Sequence, residues 1–143
     1  MMKGCLLDAN VLIALAWPNH THHAAAQAWF GREQANGWGT CLVTQLAFVR
    51  VSAHTALEYH VSPPEACRKL NEIISLPNHS FWSEPPDGYA NPAFVRTIPD
   101  TLMHQMVTDG YLATLAAVHG GKLVTFDRQL ARIFRQVVLI QGE

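Results

Sequence analysis

Charge is scarce in this chain. Asp, Glu, Lys and Arg make up 15% of its 143 residues and nearly cancel, leaving a formal net charge of -1. A strong general nucleic-acid binder carries a basic footprint, so any polyanion site here must be local, built from a few arginines or from metal. Low charge beside 49% hydrophobic residues argues against disorder. It leaves enough apolar material for the core of one domain, residues 1–143. Cysteine is also sparse. Cys5, Cys41 and Cys67 are odd in number and fit no zinc spacing. Cys5 and Cys41 fall in apolar runs and read as buried free thiols, which suits a reducing cytoplasm. Long apolar runs are missing: the longest uninterrupted one, Val11 to Trp17, is far too short to span a bilayer. Lys3 followed by apolar residues invites a signal-peptide reading, but Asp8 and Asn10 interrupt it and no small-residue cleavage site follows cleanly.

What is present alternates. Residues 4–7 read as a short buried strand, followed by a helix from Asn10 to Ala16 that Pro18 stops. Asn19-His20-Thr21 opens a second helix ending near Gly37, with Ala24, Ala28 and Trp29 at helical spacing. Thr40 to Val43 reads as a second strand. It passes into a helix over Thr44 to Arg50, with Leu46, Val49 and Val51 available for the core. Ser62-Pro63-Pro64-Glu65 has the form of a capped helix start, running to about Leu76. His79 to Trp82 reads as an edge strand. The stretch 83–99, with five residues of Pro or Gly, reads as a long surface segment with one short helix around Ala93; long ordered loops are often functional. A helix follows Asp109 and stops at Gly120-Gly121. A strand over 122–126, a helix from Asp127 to about Ile133 and a strand from Val137 to Ile140 close the chain. This alternation predicts an α/β fold with a parallel sheet and helices on both faces.

Three aspartates stand where apolar runs meet helices. Asp8 follows Gly4-Cys5-Leu6-Leu7, Asp127 follows Lys122-Leu123-Val124-Thr125-Phe126, and Asp109 follows Val107-Thr108. Asp is a favoured helix cap, so each has a purely structural explanation. Together they have a chemical one. Carboxylates at the carboxyl ends of strands face the crevice where open α/β sheets bind ligands. Three that converge suit a hard divalent cation, and such an ion promotes attack of water on phosphate.

The ordered motifs resemble the PIN-domain nucleases. Leu6-Leu7-Asp8-Ala9-Asn10-Val11-Leu12-Ile13 is similar to that family's opening. Thr108 to Ala116 and Leu123-Val124-Thr125-Phe126-Asp127-Arg128 are similar to its later acidic motifs. Thr44-Gln45-Leu46-Ala47-Phe48-Val49-Arg50-Val51 resembles the second motif in VapC-type toxins. The resemblance implies a three-layer α/β/α PIN-like fold with a central, mostly parallel sheet. It implies an endoribonuclease toxin of a toxin–antitoxin pair, hydrolysing RNA phosphodiester bonds with one or two Mg²⁺ (or Mn²⁺) ions. Asp8 and Asp109 would ligate directly, and Asp127 through water or by orienting the nucleophile. Asn10, Thr44 and Thr125 would fix the carboxylates by hydrogen bonding, and Arg50 and Arg128 would reach RNA phosphates. The implied partners are RNA, a small VapB-like antitoxin and a second copy in a homodimer, for which Trp29, Phe30 and Trp38 offer aromatic surface. No membrane is implied.

One departure stands out. The second motif usually carries glutamate where this chain has Gln45. An amide oxygen still ligates a hard cation but brings no charge; Glu58, Glu84 or Asp87 are the acids available as replacements. Gln45 therefore supports a rival: a degenerate PIN domain that binds RNA or a partner protein without cleavage. Two other phosphate-handling readings fail. A haloacid-dehalogenase-type phosphatase needs an acid where Asn10 stands, and a phospho-receiver needs an aspartate between Asp8 and Asp87. His20 and His23 have the spacing of a helical metal pair, but read better as an exposed polar face. His104 and His119 flank the acidic helix, and Trp82, beside the long loop, is the best base-stacking candidate among the tryptophans.

Overall fold

The computed structural model describes residues 4–141; Lys3, which raised the signal-peptide question, lies outside them. Five strands, β1 (Cys5–Leu7), β2 (Trp38–Thr40), β3 (His79–Phe81), β4 (Lys122–Thr125) and β5 (Val137–Leu139), form one sheet. Its order is β3-β2-β1-β4-β5 and every pairing is parallel. The helices are α1 (Ala9–Ala16), α2 (His23–Glu33), α3 (Leu42–Ser52), α4 (Pro63–Ile74), α5 (Pro92–Thr97), α6 (Val107–Val118) and α7 (Arg128–Ile133).

This order dictates the layers. From β1 the chain steps outward through β2 to β3, then returns past β1 to β4 and β5. Parallel crossovers are right-handed, so reversing the direction of travel moves the helices to the other face. The cores show it. Leu7 and Val124 pack with Val11, Leu12, Phe30, Phe48 and Leu70 of α1–α4. Their neighbours Leu6 and Leu123 pack on the opposite face with Phe94, Leu112, Leu115 and Leu130 of α5–α7. Alternate residues of the same strands thus serve both layers, each large side chain contributing roughly 1.5–3 kcal/mol.

Helix ends follow local chemistry. The Ser62 hydroxyl accepts from the Glu65 N–H at 3.3 Å to start α4, with Pro63 in the first turn. At the end of α6, Gly120 adopts φ +73°. The Gly120 and Gly121 N–H groups donate to Ala117 and Ala116 at 3.0 and 2.9 Å, the closure that a left-handed residue after a helix allows.

Several boundaries differ from expectation. The second strand is Trp38–Thr40, and Leu42 already begins α3, because Thr44 bonds back to Cys41 and starts the helix there. The second helix begins at His23 rather than around Asn19; residues 18–22 form turns, with the His22 N–H donating to the His20 Nδ1. On α3, Phe48 fills the core beside Thr44 and Ser52, while Leu46 is 57% exposed and Val51 is also exposed. Trp29, Phe30 and Trp38 are buried in the core rather than offered as a surface. Trp82 is 1% exposed, so it cannot stack on a base. A Cβ on Gly39 or Gly121 would stand 2.0 or 2.6 Å from its indole: two glycines distant in sequence make its slot. No helix of the described residues is long and apolar enough to cross a membrane.

Candidate active site

The sheet's switch point lies between β1 and β4. Leu7 pairs with Val124, and the Asp8 N–H extends the ladder to the Val124 carbonyl at 2.9 Å. Asp8 therefore emerges at the carboxyl edge beside Thr125. It caps α1: Oδ1 accepts from the Ala9 N–H at 2.8 Å, and Oδ2 accepts from the Thr125 hydroxyl at 2.8 Å. The Thr125 oxygen in turn accepts from Asn10 Nδ2 and from the Asp127 N–H, each at 3.1 Å. Asn10 Oδ1 accepts from the Phe126 N–H at 3.3 Å. Asp127 caps α7, its Oδ1 accepting from the Gln129 and Leu130 N–H groups at 2.9 and 3.2 Å. Thr125, fully buried, thus ties both acidic junctions together with its one proton and its lone pairs.

Asp109 reaches this edge from another layer. It follows no strand and caps no helix: a 3-10 turn over His104–Met106 leads straight into α6, which begins at Val107. Asp109 occupies the first turn, where the helix dipole favours a carboxylate. Its pKa nevertheless rises to about 6, first because it is desolvated, then because Asp8 and Asp127 repel its charge. Burial is likewise the largest cause of the raised pKa of Asp8, offset by the bonds from Thr125 and Ala9 and reinforced by Asp127. None of the three forms an ion pair with a lysine or arginine among the described residues. Such an oxygen-rich, negatively charged crevice suits a hard divalent cation. Among the described residues no group of three or more His, Cys, Asp or Glu has its atoms already gathered for an ion; the helix caps hold carboxylate oxygens of Asp8 and Asp127.

The structure joins Asp8, Asn10, Thr125 and Asp127 by hydrogen bonds and places Asp109 within electrostatic reach of Asp8 and Asp127. Gln45 lies one junction away: its Nε2 donates to Thr40 Oγ1 at 2.9 Å, and that oxygen also bonds His79 Nε2 at 2.8 Å. Thr44 is buried and serves the start of α3, its hydroxyl accepting from the Cys41 N–H and donating to the Cys41 carbonyl. Arg50 and Arg128 are exposed, on the last turn of α3 and the first of α7. Glu58, Glu84 and Asp87 are exposed and are not among the charges acting on Asp109. His23 Nδ1 bonds the Ala14 carbonyl at 2.7 Å, so His20 and His23 do not face a shared ion. His119 Nε2 bonds the Ser83 carbonyl at 2.8 Å, at the opposite end of α6 from Asp109. Sequence reading missed two neighbours. Thr40 holds Gln45, and His22 stacks on Phe126 at 4.7 Å with its Nδ1 buried and without a protein partner. The extra histidine between His20 and His23 was a signal, but nothing local ties it to Phe126, 104 positions later.

A five-stranded parallel sheet with aspartates at its switch point defines an open α/β domain with a candidate acidic site. Residues 5–135 match the PIN domain family model. The chain is 45% identical over 130 residues to Ribonuclease VapC39 of Mycobacterium tuberculosis, covering 88% of this chain and 90% of that protein. It is 35% identical over 132 residues to Ribonuclease VapC38 of the same organism, covering 92% and 90%. Its fold is similar to the crystal structure of M. tuberculosis VapC20, a Sarcin-Ricin loop cleaving toxin, with TM-score 0.65 and 13% identity over 90% of this chain and 94% of that one. The protein belongs to the PIN domain family.

Proposed function

We propose that this protein is a metal-dependent endoribonuclease of the VapC type, the toxin of a toxin–antitoxin pair, with Mg²⁺ or Mn²⁺ as its cofactor. The observation that carries the reading is the placement of Asp8, Asp109 and Asp127 at the β1–β4 switch point, where Asp8 and Asp109 are desolvated and feel the charge of Asp127. The ribonuclease names of relatives at 45% and 35% identity support the substrate class. A divalent ion there would supply charge neutralisation and activation of water. Asp8 and Asp109 would hold it, Asp127 would act through water or orient the nucleophile, and Gln45 would offer its amide oxygen, since its nitrogen is taken by Thr40. Thr125 and Asn10 hold the carboxylates in place, and Thr44 fixes the turn that carries Gln45. Arg50 and Arg128 would meet RNA phosphates. The VapC-type motifs also support a small VapB-like antitoxin as partner, and a homodimer.

The test is cleavage of total RNA by the purified chain, with end mapping, across Mg²⁺ and Mn²⁺ titrations. Metal-dependent cutting that Asp8→Asn removes supports the reading. Binding of RNA that is indifferent to metal and to Asp8→Asn would establish the degenerate, non-cleaving alternative, which the neutral Gln45 favours.

A further inference from the structure

We propose that the pocket between the first turns of α3 and α6 binds one unpaired nucleobase of the RNA, adjoining the scissile phosphate; this rests on the ribonuclease reading. The pocket has a volume of about 250 Å³ and is lined by Val43, Tyr89, Val107, Thr108 and Tyr111. Thr108 directly precedes Asp109 in the first turn of α6, so the pocket and the acidic crevice share one helix start. Both helix starts lie at the sheet's carboxyl edge. α3 leaves the end of β2, and α6 finishes at the glycines that enter β4.

The chemistry of the lining selects the occupant. It contains no residue charged at neutral pH, so it does not suit a phosphate. Its exposed surface is almost wholly apolar and walled by the rings of Tyr89 and Tyr111, which suits the π-face of a base. The aromatic wall is built in advance. Tyr111 stacks on Phe94 at 5.2 Å and 8° between planes, and Phe94 contacts Tyr89 at 4.8 Å. Tyr89 stays 48% exposed while Phe94 is 2% exposed. The loop is pinned: Asn91 Nδ2 donates to the Pro86 carbonyl at 3.1 Å, and Asp87 turns the chain at φ +66°. A pinned tyrosine loses little freedom when a base stacks on it.

The test is a cycle between base and protein. Single-stranded RNA oligonucleotides spanning the mapped cut would carry one abasic ribose at successive positions. One position should lower wild-type kcat/KM by about tenfold, a typical stacking effect. In Tyr89→Ala the same abasic change should cost about twofold or less. Val107→Trp, which fills the pocket without removing the loop's anchor, should behave the same way. Affinity of the intact and abasic oligonucleotides for the wild type in EDTA, read by fluorescence anisotropy, should show the same pattern. If no RNA is cut, the ribonuclease reading fails, and the affinity cycle, run on abasic variants of a single-stranded oligonucleotide that the wild type binds, decides the pocket alone. Equal abasic penalties in wild type and both variants would overturn the proposal. So would variants that change only self-association or antitoxin binding, which would make the pocket a protein contact.

Discussion

Three strands of this sheet deliver the chain into helices at one edge, and two do it differently from the third. The β1–α1 and β4–α7 junctions are capped by Asp8 and Asp127. The β2–α3 junction is capped without charge, through Cys41 and Thr44, and is followed by a neutral Gln45 that bonds Thr40. An uncharged cap therefore suffices to start a helix in this fold. The two aspartates are more than capping requires, and Asp109 adds a third carboxylate although α6 needs none as a cap. Charge is concentrated where it raises the free energy of the folded chain, as the proposed site requires and a scaffold does not.

The strongest way to break this comparison is to neutralise the acids while keeping their capping geometry. Asn caps helices as well as Asp does. Asp8→Asn and Asp109→Asn should each lower RNA cleavage by about a hundredfold or more while urea denaturation without metal shows no loss of stability. Retained activity with lost stability would reduce Asp8 to a cap and Asp109 to a first-turn charge on the α6 dipole. Next comes the bridge between the two charged junctions. Thr125→Val leaves the Asp127 N–H and an Asp8 oxygen without their partner. It should cost about 1–3 kcal/mol in stability and about 10–100-fold in activity, with Thr125→Ser restoring most of both. If Thr125→Val cleaves at the wild-type rate, the hydroxyl does not position Asp8.

The charged junctions were legible in sequence and the neutral one only partly so, for physical reasons. Asp8 and Asp127 end apolar runs that can only be strands at that length, and their caps follow from residue type. Asp109 misled because Val107-Thr108 is β-branched and reads as extended. A 3-10 turn upstream starts the helix three residues early, which turns an apparent cap into a first-turn acid. At α3, strand and helix share the apolar stretch Cys41-Leu42-Val43, and the hydroxyl of Thr44 decides where one becomes the other. The outward placement of Leu46, the slot for Trp82 and the stacking of His22 on Phe126 depend on partners from distant segments, and no local period carries that information.

Asp109 also gives a pH test of the charge concentration. Its pKa is raised from 3.8 to about 6 in the folded chain, so the folded state holds its proton more tightly than the unfolded state. Stability from this group is full below pH 4 and is lost as pH rises from about 4 to about 6. Discounted for the half-exposure of the carboxylate, the loss is about 1 kcal/mol. In EDTA, Asp109→Asn should therefore be more stable than wild type by about that amount at pH 7.5 and indistinguishable from it near pH 3.5. Urea midpoints at the two pH values check this; the same difference at both would show that the charge of Asp109, desolvated and repelled by Asp8 and Asp127, is not the cause.

The smallest effect concerns the neutral junction and sharpens the contrast most. If the oxygen of Gln45 faces the cation, Gln45→Glu adds a fourth negative charge to the cluster. Opposite charges a few ångströms apart interact by roughly 4 kcal/mol at an effective dielectric near 20, before desolvation. A net gain of about 1 kcal/mol tightens ion binding several-fold. The substitution has a structural cost. The amide nitrogen now donates to Thr40 at 2.9 Å, and a carboxylate cannot donate. The Thr40 hydroxyl must turn its proton toward the new side chain and accept from His79 Nε2 instead, which the imidazole permits by changing tautomer. The expected result is thus a several-fold lower Mg²⁺ midpoint for cleavage with stability within about 1 kcal/mol of wild type. Gln45→Ala, lacking both oxygen and anchor, should need more Mg²⁺. Equal midpoints in all three would mean that Gln45 serves Thr40 alone, and that the β2–α3 junction stands outside the catalytic crevice.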